Sequence, residues 1–422
     1  METKKVSLED LQEIVGDSNV REASAEDVVE GVEPSFVAEP GSVEEARELM
    51  KLARENGLAV APRGSGTKTQ LGNPPRELDL VISTGRMNEI VEYVPGDQIV
   101  RVQAGIKLSD LQEKLAEENQ MVALDPPEED ATIGGLVAAN SAGPSRYSYG
   151  TVRDLIIGIK VVLADGTVAK AGGKVVKNVA GYDLSKLFTG SMGTLGLIVE
   201  ANFRLHPLRE ASRTVVAEIE GGPQGVYAAV QDIARTQVEP TAIELRYGED
   251  EQLVATFVES IEGGIDEKVR VVTHALETHG EVRDAEEGNQ LGSALPPLED
   301  GGVLIKVSAP PAELAAVLES VLGAAGRRGL DHPRITGHAG TGVTFAGLSG
   351  GSEDALAEAV EEVREIWVRR GGGVVLLEAP GEIKARVGTW GPPRDDIGLM
   401  GRVKEKFDSQ GNLNPGRFVG GI

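Results

Sequence analysis

Apolar positions first fall into a helical repeat at Ala46, Leu49, Met50 and Ala53, opened by Ser42-Val-Glu-Glu45 as a capping box and closed by Gly57. Residues 58–62 and 79–83 are short apolar runs that predict buried strands. Between them stands Arg63-Gly-Ser-Gly-Thr-Lys68, with Gly72 shortly after. Helix, strand, glycine loop and strand is an α/β order. A further strand is predicted over residues 98–105 and a helix over 108–119, with alternating charge on its outer face. Residues 154–163 and 167–169 predict a hairpin turning at Asp165-Gly166. The stretch 125–150 lacks a clear period and is too apolar for disorder, so it reads as a long functional loop.

After Pro207 strands and helices alternate over residues 214–220, 224–236, 243–246, 253–259, 264–278, 303–308, 312–325, 343–346 and 352–370. This βαββαβ-like order without glycine loops predicts a separate, smaller α/β layer. Residues 281–300 are polar and broken by Gly and Pro, which predicts a surface loop, and a helix at 404–408 leads into the turn Gly411-Asn-Leu-Asn-Pro-Gly-Arg417. No internal repeat of fixed period is visible.

Composition narrows the chemistry. The chain has 422 residues, with 42 basic against 67 acidic side chains and a net charge of -25. Such a surface repels phosphate backbones and anionic lipid, so nucleic-acid binding is not expected. The acidity itself reads as a solvated shell rather than as a partner-specific feature. With no cysteine, the chain has no disulfide, thiolate metal site or iron–sulfur cluster of its own. No stretch approaches the roughly 18 apolar residues of a membrane helix, and the N-terminus lacks the apolar core of a signal peptide. The expectation is a cytoplasmic protein without direct membrane insertion, reaching the inner face of a membrane only through a complex.

The 54 glycines cluster in loops. A backbone of the type Arg-Gly-x-Gly-Thr presents several N–H donors with no Cβ in the way, a nest suited to a pyrophosphate. It lacks the third glycine of the Rossmann fingerprint and the Gly-Lys-Ser/Thr of a P-loop. Further glycine- and asparagine-rich segments follow at 132–143, 190–196 and 412–417. Several such approaches suit an elongated dinucleotide better than a mononucleotide.

Taken in order and spacing, Pro62-Arg-Gly-Ser-Gly-Thr67, Ala131-Thr-Ile-Gly-Gly135, Asn140, Arg146 to Gly150, Asp154 and Gly190 to Ile198 resemble the FAD-binding oxidoreductases of the vanillyl-alcohol oxidase, or PCMH-type, fold. Val176-Lys-Asn-Val-Ala-Gly-Tyr-Asp-Leu-Ser-Lys186 is similar to the signature of the E subunit of bacterial glycolate oxidase. The resemblance implies an α+β fold: an N-terminal extension at 1–34, a two-part FAD-binding domain at 35–207 divided near 95, a ferredoxin-like α/β cap at 208–375, and a C-terminal segment at 376–422 returning to the FAD site.

It also implies site residues. Pro62, Arg63, Gly64, Ser65, Gly66, Thr67 and Lys68 would wrap the pyrophosphate of FAD. Pro126, Thr132, Gly134, Gly135, Ala139, Asn140, Ser141 and Gly143 would line the ribityl chain and flavin ring. Gly193, Thr194, Gly196 and Ile198 would take the adenosine side, and Asn414 the flavin ring from the C-terminal turn. Members with covalent flavin often carry histidine where this chain has Thr67, so the FAD is expected to be non-covalent.

Departures from the family matter as much. D-2-hydroxy acid relatives carry Gly-His-x-Gly-Asp-Gly-Asn, and this chain has Gly337-His-Ala-Gly-Thr-Gly-Val343; their second motif survives only as Glu378-Ala-Pro-Gly381, without histidine. His338 and Glu378 are two ligands where a metal site normally needs three or more, so no metal is expected and these two remain the candidate acid–base residues. His338 also reads as a packed structural histidine, and His206 as a strand-end residue. Lys384 and Arg386 are the cations available for an anionic substrate.

Three functions follow from the resemblance. The first is the FAD subunit of a glycolate oxidase complex, oxidising glycolate to glyoxylate beside a D-type flavoprotein and an iron–sulfur F-type subunit. The second is a self-sufficient FAD dehydrogenase of a small 2-hydroxy acid such as D-lactate. The third is a non-catalytic structural subunit.

Overall fold

The computed structural model describes residues 6–173, 183–286, 294–393 and 395–422. The first sheet has four strands in the order Val20–Glu22, Phe36–Ala38, Leu80–Ser83, Val60–Arg63, the last three mutually parallel. Parallel pairing needs a crossover, and helix Val43–Asn56 provides it, burying Ala46, Leu49, Met50 and Ala53. Its expected capping box is half formed. The Ser42 hydroxyl accepts from Glu45 N (3.1 Å), but the Glu45 carboxylate accepts from Gly41 N (2.8 Å), one residue before the cap.

A second, antiparallel sheet of five strands runs Ile90–Val94, Ile99–Gln103, Leu197–Arg204, Ile156–Val162, Val168–Gly172. Val162, Leu197 and Val199 pack in one core with Leu49, Leu80 and Ile82, so the two sheets face each other. The predicted long loop at 125–150 instead winds into helices Ile133–Ala139 and Arg146–Tyr149. With two glycines in its first turn and no polar face, the first of these has no period to read. Residues 176–182 of the segment similar to the glycolate oxidase signature lie outside the described residues. Asp183 next to them caps helix Leu184–Phe188.

The remaining layer is one antiparallel sheet of eight strands. Its first half contains Gly280–Glu286, Ala211–Ile219, Gln252–Ser260 and Ala242–Tyr247; its second contains Arg334–His338, Val343–Leu348, Val303–Ser308 and Gly373–Glu378, in that spatial order. Each half follows strand, helix, strand, strand, helix, strand along the chain, and the second half is laid out in mirror order to the first. The halves join where Glu244 pairs with His338 and Leu245 with Gly337. A duplicated topology is therefore present that no sequence period announces. Residues 280–286 form an edge strand rather than the start of the predicted surface loop, and residues 287–293 of that loop lie outside the described residues.

Helices Gly222–Ala234, Glu262–Leu276, Leu314–Arg327 and Glu353–Arg369 cover one face of this sheet over Val215, Ile243, Leu245, Ile305, Val307 and Ala346. Alternation along the strands sends Glu244, Lys306, His338 and Phe345 to the opposite face. The first two sheets close that face: Tyr149 Oη donates to Glu259 (2.8 Å), and Gly340 lies against the ring of Tyr147. No helix among the described residues is long and apolar enough to cross a membrane.

Candidate functional site

Strand Val60–Arg63 delivers its C-terminal end into a cleft at the junction of the first two sheets. Pro62, Arg63, Gly64, Ser65, Gly66, Thr67 and Lys68 line it along one side, with Thr132, Gly134, Gly135 and Ala139 from the helix Ile133–Ala139 and its cap, and Gly193, Gly196, Ile198 and Asn414 opposite. Thr69, Thr84, Ala138, Met192, Leu197 and Arg417 complete the lining. Thr69 and Thr84 lie outside the motifs, whereas Ala138, Met192 and Arg417 lie within the glycine- and asparagine-rich segments and Leu197 directly after one, but none of these is a residue that the resemblance singles out.

Close backbone approach explains the glycines. A Cβ on Gly64 would fall 1.9 Å from Thr132 Oγ1, so the first loop and the helix cap meet only if residue 64 has no side chain. Gly193 has φ +70° and lies against Pro62 and Asn414. Asn414, at φ +43°, donates its backbone N–H to Val60 O (2.8 Å) and its Nδ2 to Met192 O (2.7 Å). Its Oδ1 is buried without a partner among the described residues. A buried orphan acceptor at a cleft wall is a place for a ligand N–H. The Asp408 carboxylate fixes the turn by accepting from Asn412 N, Leu413 N and Lys404 Nζ (3.1, 2.8 and 2.6 Å), while Lys404 also donates to Thr194 O and Leu413 O (2.9 and 2.7 Å).

Other expected residues stand outside the lining. Asn140 is the left-handed C-cap of the helix, its Oδ1 accepting from Arg153 N (3.3 Å), and Ser141 donates to Glu128 (2.8 Å). Gly143 abuts the Asp125 carbonyl, and Thr194 donates to Ser191 O (2.7 Å). The helix carries the chain away from the cleft after Ala139. Pro126 is not among the lining residues either.

Neither cation of the first loop is free. Arg63 is ion-paired to Asp27 (2.9 Å) and Lys68 to Glu128. Asp27 also accepts from Arg21 and from Ser24 N, and these partners, Arg21 foremost, hold its carboxyl well below the usual range. The loop therefore offers an anion mainly its backbone N–H groups.

A second polar cluster fills the face where the eight-stranded sheet meets the first two. His338 Nδ1 lies 2.9 Å from Glu244 Oε2, both side chains buried, with Phe345 edge-on to the imidazole. Burial drives the two in opposite directions: Glu244 rises well above the usual carboxyl value, and His338 falls to about 3, helped by Arg146 and Lys306. Burial thus disfavours the charged form of both groups. Asp125 is pushed up to about 6 by burial although it accepts from Ser145 N (2.9 Å). Lys306 is pushed down to about 8, chiefly by burial and then by Arg146 and Lys68, with Glu128 opposing. Lys68 lines the cleft, so this cluster sits beside it.

Glu378 is not part of that cluster. It is exposed at the end of an edge strand, in register with Leu304, whereas His338 lies in register with Val343 and, through it, Ser308. Three strand spacings and about five residues of rise separate the two by about 20 Å. The carboxylate that meets His338 is Glu244, 94 positions away in sequence. Lys384 and Arg386 are also engaged elsewhere, Lys384 buried against Glu30 (2.6 Å) and Arg386 against Asp354 and Glu361. Among the described residues no group of three or more His, Cys, Asp or Glu side chains is placed to hold a metal. His206 opens the short strand His206–Pro207, its ring edge-on to Tyr149.

The profile described as FAD binding domain matches residues 34–172, and the profile of the FAD linked oxidases, C-terminal domain, matches residues 253–418. The chain belongs to the FAD-binding oxidoreductases of the PCMH type. Its cofactor is FAD. Glycolate oxidase subunit GlcD of Bacillus subtilis is 28% identical over 91% of this chain and 89% of its own length. A D-lactate dehydrogenase of Archaeoglobus fulgidus is 28% identical over 91% of each chain. Glycolate oxidase subunit GlcE of Escherichia coli is 36% identical, but over only 43% of this chain and 50% of its own. The crystal structure of p-cresol methylhydroxylase shares the fold with a TM-score of 0.73 at 14% identity, covering 97% of this chain and 95% of that one.

Proposed function

We propose that this chain oxidises a small 2-hydroxy acid of the glycolate or D-lactate class, and that it binds this substrate itself. The observation that carries the reading is the buried His338–Glu244 pair beside the cleft, with Arg146 and Lys306 close enough to act on it electrostatically. The nearly full-length match to GlcD and to the D-lactate dehydrogenase, against the half-length match to GlcE, favours this over a pure relay subunit.

FAD, when bound, supplies the two-electron acceptor for the hydride that leaves the substrate's α-carbon. Lys306 and Arg146 hold the substrate carboxylate. His338 is neutral at physiological pH, with Nδ1 turned to Glu244, and its Nε2 takes the hydroxyl proton as the hydride departs. The contact of Nδ1 with Glu244 Oε2 (2.9 Å) keeps the ring in place while it does so. Glycolate loses one hydride and one proton and becomes glyoxylate.

The cofactor is held non-covalently in this reading, which is favoured by a cleft lining without histidine, tyrosine or cysteine among the described residues. With no cysteine to ligate a cluster in this chain, the electrons leave to an external acceptor, read here as an iron–sulfur partner subunit from the likeness to glycolate oxidase subunits. A relay role beside a D-type flavoprotein is the second reading, favoured by the loss of Asp and Asn from Gly337–Val343 and by the exposure of Glu378. Steady-state assays with a dye acceptor, run on glycolate, D-lactate and L-lactate, separate the two. Turnover by the isolated chain supports the first, and absence of turnover with all three acids contradicts it. Acid precipitation that leaves yellow pigment in the pellet contradicts non-covalent binding.

A further inference from the structure

Among the described residues lining the cleft, Arg63, Lys68 and Arg417 carry positive charge, and the first two are ion-paired. Arg417 is buried, and no carboxylate among the described residues lies within ion-pairing distance of it. Its Nη2 donates to Thr69 O (2.9 Å) and Leu71 O (2.6 Å), the carbonyls directly after the Arg63–Lys68 loop, while its Nε has no partner. The acid that acts on it, Glu30, is itself ion-paired with Lys384 (2.6 Å). Burial presses the guanidinium down to about 10.

The backbone around it is fixed. Its carbonyl accepts from Asn73 N (3.0 Å) and Trp390 Nε1 (2.8 Å), and its N–H donates to Asn414 O (3.2 Å). A rigid, buried cation with an orphan N–H is costly unless an anion meets it. We infer that Arg417 is the charged ligand of the FAD diphosphate, completing a cradle whose other donors are backbone N–H groups. The diphosphate is the part of oxidised FAD that carries formal negative charge, and Arg417 grips the loop best suited to hold it. This inference rests on FAD as cofactor and not on the substrate reading.

The test uses the full-length apo chain, titrated with FAD by fluorescence quenching and with ADP and adenosine as competitors. Arg417→Gln keeps a donor and removes the charge, and it should weaken FAD and ADP 10- to 100-fold while adenosine binds as before. Arg417→Lys should recover most of the loss. The inference is overturned if Arg417→Gln binds FAD within twofold of the unaltered chain, or if ADP and adenosine weaken together, which marks a collapsed loop. It is equally overturned if Arg417→Lys is as weak as Arg417→Gln. Intact FAD affinity with a displaced flavin reduction potential would assign the guanidinium to the isoalloxazine ring and would also sink it.

Discussion

The FAD cleft and the cluster facing the eight-stranded sheet are both polar, yet they are built in opposite ways. The cleft is walled by glycine, threonine and backbone, and two of its three cations are neutralised by Asp27 and Glu128. The neighbouring cluster buries Glu244 and His338 and half-buries Asp125, Arg146 and Lys306, with the ionisation of all five displaced. A surface of backbone donors binds a fixed anion over a wide pH range, because amides do not titrate. A surface of buried ionisable groups is suited to moving a proton, and it is sensitive to pH for the same reason. In the proposed function, holding the cofactor and turning over the substrate thus fall to different kinds of surface within one chain.

The comparison breaks most visibly at His338. Replacing it with glutamine should lower single-turnover flavin reduction about 100- to 1,000-fold, the scale of losing a general base, with FAD affinity unchanged. An equal loss of FAD in titrations would mean that the two surfaces are not separable. Next in size is Gly64→Ala, whose Cβ would overlap Thr132 Oγ1. It should leave the purified chain largely colourless, and adding Thr132→Ala should restore part of the bound flavin, read as the absorbance ratio of flavin to protein.

Lys306 gives the pH signature. Above about 8 it loses its proton, so KM for the anionic substrate should rise up to tenfold per pH unit while kcat changes little. The same group alters stability. Its folded pKa lies below the ordinary 10.5, so between those values the unfolded chain holds a proton that the native chain has released, and native stability rises with pH across that window. Chemical denaturation of Lys306→Met from pH 8 to 10.5 should show that rise flattened. Smallest is Glu378→Gln: the residue is exposed and far from His338, and kcat/KM should stay within twofold in the dye assay.

Much of the cleft is legible because the backbone dictates residue type: Gly64 stands where a Cβ would collide with Thr132 and Gly193 holds a φ of +70° that strains any side chain, and such positions announce themselves as glycine motifs. The cluster was only half legible. His338 was found, but its partner Glu244 comes from a different strand of a different half of the sheet, and strand pairing is set by register that composition does not encode. Glu378 was chosen by the order of family motifs, and that order says nothing of which end of an edge strand a residue occupies. Asn140, Ser141 and Gly143 come from the order of the family motifs, and they follow the helix Ile133–Ala139 outside the cleft lining. The strands Arg334–His338 and Gly373–Glu378 were missed because glycine interrupts the first and opens the second.

The central claim is that one chain both holds FAD and oxidises the substrate. The most direct test is to mix the purified, FAD-loaded chain anaerobically with glycolate or D-lactate, with no partner present, and follow the visible flavin absorption. Bleaching by at least one of the two acids is the predicted result. A spectrum left unchanged by both at saturating concentration would contradict the claim and assign the oxidation to another subunit.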